Sequence, residues 1–80
     1  MAFRDLTPQH MKAARALLDW NQTELAEACG LGPTTIKRYE TNGLSKASIE
    51  NIELISNALE AAGIEFFNSG EPGVRLRRKK

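Results

Sequence analysis

Polar and cationic side chains cluster directly after Pro33, where the chain reads Thr34, Thr35, Ile36, Lys37 and Arg38. On a helix, Thr34 and Arg38 are four residues apart and share a face. Short polar residues followed one turn later by a long donor suit the major groove of DNA, whose base edges differ in donor and acceptor pattern. Pro33 has no side-chain hydrogen bond to offer and can make only apolar contact, for example with a thymine methyl. The segment therefore indicates a base-contacting face.

Other chemistry finds little support in the sequence. One cysteine, Cys29, and one histidine, His10, provide neither an internal disulfide nor a metal site. The chain has no nucleophile–base pair, paired catalytic carboxylates or phosphate-binding glycine loop. We therefore expect no enzyme activity, no cofactor and no metal. Cys29 is expected to be a small buried hydrophobic residue.

Helix start and stop residues divide most of the chain into helices that would position these side chains. Thr7 and Asn21 are N-cap residues, and Asn21 stands in a capping-box relation to Glu24. Gly30 suits the left-handed residue that ends a helix. The pattern predicts helices over 8–19, 22–29 and 33–41, and a fourth that begins at Ser48, or at Ser45, and is ended by Gly63.

Apolar residues recur at helical spacing within each of these segments. We also expect Trp20 to be a core residue rather than a base-stacking platform. The helical positions expected to face the core are Met11, Ala14, Leu17, Leu18, Leu25, Ala26, Cys29, Ile36, Tyr39, Ile49, Ile52, Ile55 or Ser56, and Leu59.

The hydrophobic period changes from helical to alternating after Gly63. Residues 64–67 and 74–77 read as two strands, separated by a segment rich in turn-forming residues. If Phe66 lies opposite Val74, four apolar side chains share one face and a Glu65–Arg75 pair lies on the other. Phe67 then falls on the charged face. We expect a β-hairpin with this register.

Length and charge fit a single small domain with an uneven charge distribution. The 80 residues are 41% hydrophobic and 26% charged, as in ordinary globular proteins. From the apolar pattern we expect neither a transmembrane helix nor a signal peptide. We expect a cytoplasmic protein. Residues 1–74 carry six basic and ten acidic side chains, whereas residues 75–80 carry five basic ones. Residues 75–80 are therefore either a solvated terminus or a phosphate-contacting segment.

Two short helices joined by a glycine-containing turn describe a helix-turn-helix. The pattern includes Leu25-Ala26, Gly30, Ile36 and Glu40. It resembles the helix-turn-helix of the lambda-repressor/Cro superfamily, also called the XRE family, over roughly residues 7–62. The resemblance implies a mainly α fold with four to five helices. The C-terminal part is similar to very small regulators of that family, and we expect a DNA-binding domain over 1–63, a hairpin over 64–77 and a basic tail over 78–80.

The resemblance also implies roles for individual residues. It implies that Arg15 and Glu40 form a structural ion pair. The positions implied to meet bases are Pro33, Thr34 and Arg38, and those expected to contact the DNA backbone are Gln22, Thr35, Lys37 and Lys46. Free backbone N–H groups at the start of the second helix would assist Gln22 in holding a phosphate.

The resulting functional expectation is a sequence-specific transcriptional regulator, most simply a repressor that acts on its own promoter. We expect a homodimer on a pseudo-palindromic operator, with the hairpin as the dimerisation element and Phe67 in the interface. The alternative for the dimer is that the hairpin folds back on the fourth helix, and that dimerisation uses that helix alone or occurs only on DNA. The alternative is an antitoxin-like DNA-binding protein whose hairpin binds a protein partner.

Overall fold

The structure, a computed structural model, describes residues 6–67 and 73–77, and the predicted basic tail over 78–80 lies outside these residues. Four helices precede a two-stranded antiparallel sheet, so the mainly helical fold with a C-terminal hairpin is confirmed, with four helices in the described part of the chain. No described helix is long and apolar enough to cross a membrane. The elements are α1 Pro8–Leu18, α2 Gln22–Cys29, α3 Pro33–Asn42, α4 Ile49–Ala61, β1 Ile64–Phe67 and β2 Gly73–Leu76.

The helices begin at the capping residues that the sequence predicts. The Asn21 side chain accepts a hydrogen bond from the Glu24 N–H, and the Glu24 carboxylate accepts one from the Asn21 N–H, both at 2.8 Å. Thr7 caps α1 in the same way. Ser48 caps α4 by accepting from the Asn51 N–H, so Ser48 and not Ser45 sets the start of that helix. Local side-chain chemistry therefore fixes these three helix boundaries.

Gly30 separates α2 from α3. Its φ of 78° lies in the left-handed region, and its N–H donates to the Ala26 carbonyl. A side chain there would be strained, because L-residues with a Cβ avoid this conformation. The short connection leaves α2 packed directly on α3.

The core is one cluster to which every helix and the first strand contribute. Both alternatives on α4, Ile55 and Ser56, are buried. The inward positions predicted for Ile49 and Leu17 are wrong, since the two residues are 71% and 44% exposed. Ile49 is the first residue of α4, and the core covers that helix only from Ile52 onward. Leu17 lies off the buried α1 stripe because Leu18 takes the position against the core.

The hairpin has the predicted register, with Ile64 opposite Leu76, Glu65 opposite Arg75 and Phe66 opposite Val74. The second strand begins and ends one residue earlier than predicted. Ile64 is 1% exposed and belongs to the main core, so the hairpin is packed onto the helices and does not stand apart from them.

The two faces of the hairpin have different partners. On the inner face, the Phe66 ring meets the His10 ring edge-on, with 5.8 Å between centroids. On the outer face, Arg75 Nε lies 2.6 Å from Glu65 Oε1, and the Arg75 guanidinium is 5.0 Å from the Phe67 ring centre. Phe67 therefore lies on the charged face, as the register predicts. The burial of His10, which is 3% exposed, was not predicted from the sequence.

The Ser56 hydroxyl is buried without a hydrogen-bond partner in the described structure. A buried hydroxyl that has left water and found no partner destabilises the fold. We expect Ser56→Ala to raise the free energy of unfolding by about 1 kcal/mol or more, measured by urea denaturation. Asn57→Ala, at an exposed site on the same helix, controls for the gain in helix propensity. An equal gain in both variants would contradict this account.

Candidate nucleic-acid interface

α3 is divided lengthwise into a buried and an exposed side. Ile36, Tyr39 and Glu40 are buried. The opposite side is exposed, and its central part carries hydroxyl and cationic groups. These side chains lie three, four and seven residues apart, so they form one continuous strip along the helix. The strip consists of Thr34, Lys37, Arg38 and Thr41, which also line a common shallow groove.

The remaining candidate positions on α3 flank this strip. Pro33 is exposed at the first helical position, and Gly32 before it provides no side-chain cap. At about 100° per residue, Thr35 and Asn42 lie on one side of the Thr34–Arg38 line. Thr35 is half-buried. If α3 lay in a DNA groove, these flanking positions would face the walls of that groove and not its floor.

A second groove, of about 560 Å³, separates the end of α3 from the loop before α4. Arg38 and Asn42 lie on the ridge between the two grooves and line both. Lys46, from the loop, is exposed and lines the far wall. The fold thus places Lys46 across this groove from Arg38, although eight positions separate them in the sequence, so two cations line the same groove.

Glu40 connects α3 to α1 and α2 from the buried side. Arg15 donates to it through Nε at 2.7 Å and through Nη2 at 2.8 Å, which is a bidentate pair. Gln22, the first residue of α2, donates through Nε2 to Glu40 Oε1 at 2.9 Å. Arg15 Nη1 also donates to the Trp20 carbonyl at 3.1 Å. One carboxylate therefore fixes α3 to both preceding helices.

This network determines the ionisation of Glu40. Burial opposes the charged form, but the hydrogen bonds from Arg15 and Gln22 outweigh it and hold the pKa of Glu40 below its usual value. On the hairpin surface, the hydrogen bond from Arg75 likewise lowers the pKa of Glu65. The first carboxylate is inside the helical framework, whereas the second is in contact with solvent.

The start of α2 differs from the expected phosphate site. Gln22 is half-buried and bound to Glu40, and the Glu24 carboxylate completes the cap at the same helix end. A carboxylate at this position already compensates the helix dipole. The N–H of Glu24 is also taken by Asn21. Any phosphate contact there therefore rests on the second N–H of the Gln22 amide and on the backbone N–H groups of the first turn.

Two further residues of the candidate interface, Thr41 and Asn42, were not predicted from the sequence. Both are exposed and line the grooves beside Arg38. Their spacing of three and four residues from Arg38 was a usable signal. The hydrogen bond between Gln22 and Glu40 had no such signal, because it depends on how α2 crosses α3. Phe67 lies on the hairpin, in neither groove.

The exposed strip on α3, its buried back and the glycine turn to α2 are the parts of a DNA-binding helix-turn-helix domain. The helix-turn-helix family model matches residues 11–66, which includes all four helices from Met11 onward and most of β1. The chain belongs to this family of DNA-binding regulators, and the resemblance to the XRE, lambda-repressor-like members is confirmed. No curated protein matches the chain.

The lowered pKa of Glu40 predicts how stability depends on pH. The folded carboxylate binds protons less readily than the unfolded one, so its full contribution is present above the ordinary value of 4.5 and is lost as pH falls through the lower folded pKa. Glu40→Gln should reduce the free energy of unfolding by roughly 2 kcal/mol at pH 7 and flatten its decline in acid.

Glu65→Gln provides the matched comparison for this prediction, since its exposed ion pair contributes little. Denaturant unfolding at a series of pH values measures both effects. An acid profile that is unchanged in Glu40→Gln would reject the assignment.

Proposed function

We propose that this regulator binds DNA sequence-specifically through α3 and represses transcription, in the simplest case from its own promoter. The observation that carries the proposal is the exposed strip of hydroxyl and cationic groups on α3, backed by three residues buried against α1 and α2. The major groove accepts one helix, and such a strip presents donors and acceptors to the base edges. The chain needs no catalytic step for this activity, because occupying a promoter excludes polymerase.

The geometry supports separate roles along the interface. Thr34 and Arg38, which share a face of α3, read bases, and Pro33 makes apolar contact at the helix start. Thr35 and Lys37 contact phosphates on either side of the groove, and Lys46 does so from the loop. Gln22 reaches a phosphate with the amide N–H that Glu40 does not use.

Selection of bound DNA from a random pool tests the function directly. A regulator of this kind enriches one motif, and a homodimer enriches a pseudo-palindrome with half-sites about 10–10.5 base pairs apart or a multiple of that. Retention of DNA without enrichment of any motif would show non-specific binding. The absence of any retained DNA at low salt would overturn the proposal.

Arg38 is expected to read guanine through O6 and N7. It is exposed, shares the Thr34 face and lies one turn into α3. Arg38→Ala should weaken operator binding by about 1–3 kcal/mol and relax preference at one position per half-site. Lys37→Ala is the control, because loss of a phosphate contact weakens all sequences alike. A mutant with the wild-type sequence preference would refute the assignment of Arg38.

The basic tail is expected to add affinity that does not depend on sequence. Arg75 and Arg77 already pair with Glu65 on the hairpin, so the residues to test are 78–80. Their deletion should weaken binding to operator and random DNA alike and reduce the slope of log affinity against log salt by up to about 0.9 per lost phosphate contact. An unchanged slope would mean that the tail is solvated on the complex.

A homodimer would double the short sequence that one recognition helix reads. The hairpin supports this arrangement, because Phe67 is 39% exposed and lies on the charged outer face, away from the core. A second copy related by a two-fold axis would cover both Phe67 rings. Removing the whole hairpin would not test this, since Ile64 belongs to the main core.

Phe67→Ser should shift a dimer toward monomer without unfolding the domain, because the side chain is exposed. Sedimentation equilibrium with thermal unfolding in parallel measures both properties. Leu17→Ser, an exposed apolar site on α1, is the matched control and should leave association unchanged. Equal association of wild type and Phe67→Ser would place the interface elsewhere.

A further inference from the structure

The outer edge of β2 has backbone groups directed away from the hairpin. The Arg77 N–H donates to the Gly63 carbonyl at 2.6 Å, and the ladder register places these residues directly opposite each other. Hydrogen-bonded pairs alternate along an antiparallel ladder. The N–H and C=O groups of Val74 and Leu76 therefore point away from β1. Within residues 6–67 and 73–77, no backbone hydrogen bond outside the regular elements uses these groups.

This edge of β2 adjoins a groove of about 400 Å³ against α1. Gln9 and Ala13 are exposed on the helix side of the groove, and Leu17, 44% exposed, continues the same helix face four residues on. A strand placed here would have a hydrogen-bonding edge on one side and a largely apolar helix face on the other. The lining residues are Thr7, Gln9, His10, Ala13, Gly73 and Val74.

The outer face of β2 carries excess positive charge. The side chains of Arg75 and Arg77 are 65% and 58% exposed, and both pair with the same carboxylate, Glu65. Side chains alternate along a strand. In a strand added to β2, residues level with Val74 would therefore face the groove, and those level with Arg75 would lie beside the guanidinium groups.

We propose that the groove between α1 and the β2 edge is a docking site for an extended segment of a protein partner, in which small apolar residues alternate with aspartate or glutamate. The segment binds by adding a third strand to the hairpin, which is a general mode of peptide recognition. The groove contains no residue of α3, so this site is separate from the DNA interface.

Charge and register favour an acidic partner over a second copy of the chain. Symmetric pairing of two β2 strands about Arg75 would place Arg75 opposite its own equivalent, and like charges directly opposite destabilise a sheet. Pairs of acidic and basic residues in the same positions stabilise it. Acidic residues beside Arg75 and Arg77 would satisfy the guanidinium groups that Glu65 alone cannot neutralise.

A synthetic peptide tests the site in the full-length protein. The probe is a fluorescein-labelled peptide of about eight residues that alternates valine and glutamate, and the control peptide alternates valine and lysine. Fluorescence anisotropy should show saturable binding of the Val–Glu peptide. The Val–Lys peptide should bind with an affinity at least roughly tenfold lower. Equal binding of the two peptides would refute the charge argument and with it the proposal.

Two pairs of variants locate the binding site. Val74→Pro removes the outward N–H and leaves the ladder to β1 intact, whereas Val74→Ala keeps that N–H. The proline variant should therefore bind the Val–Glu peptide roughly tenfold more weakly than the alanine variant. Ala13→Glu adds bulk and negative charge within the groove, and Ala16→Glu adds them on α1 outside its lining. Only Ala13→Glu should abolish binding.

Circular dichroism and operator binding confirm that each variant is folded, and amide shifts of Val74 and Leu76 on titration provide a second measure of peptide binding. Three results would overturn the proposal. They are the absence of saturable binding to the folded wild type, equal binding by Val74→Pro and Val74→Ala, and a loss of self-association in Val74→Pro without any peptide binding.

Discussion

The arrangement of the DNA-binding unit depends on a single carboxylate. Glu40 is 3% exposed near the end of α3 and receives hydrogen bonds from Arg15 on α1 and Gln22 on α2. A buried charge without such partners would destabilise the fold strongly, so the carboxylate is tolerated only when the three helices take this one relative orientation. The apolar core supplies most of the driving force for folding, but apolar packing alone is less directional. The bidentate contact from Arg15 adds the angular restraint that packing lacks.

The two sides of α3 thus have different roles, since the buried side packs against the other helices and the exposed side faces solvent. Ile36, Tyr39 and Glu40 hold α3 in place, and Asn51 of α4 donates to the Tyr39 hydroxyl at 2.9 Å. The orientation of a recognition helix decides which bases its side chains reach. Because the buried contacts set that orientation, they also determine where the exposed side chains are placed. The hairpin contributes to the same framework through Ile64, although its outer face and its β2 edge remain directed to solvent.

Most of the fold could be predicted from the sequence because its signals are local. Asn21, Ser48 and Gly30 fix helix boundaries through contacts with residues three or four positions away, and alternation alone set the hairpin register. Properties that depend on how distant elements meet could not be predicted. The wrong placement of Ile49 arose because periodicity reports a helix face without reporting how far along the helix the core extends. The hydrogen bond of Gln22 with Glu40 and the burial of His10 under Phe66 likewise required the assembled helices.

The exposed strip on α3 has a consequence for how such a protein changes over evolutionary time. None of its described side chains, Thr34, Lys37, Arg38 and Thr41, makes a hydrogen bond or ion pair within the protein, whereas the opposite side of the helix is fully engaged. Substitutions in the strip therefore leave the scaffold's stability nearly unchanged, and under the proposed function they change the DNA sequence that is bound. Gene duplication followed by drift at a few codons could redirect a copy to a new operator without passing through unfolded intermediates. Selection can therefore act on the exposed strip and on the buried framework separately, although both belong to one chain.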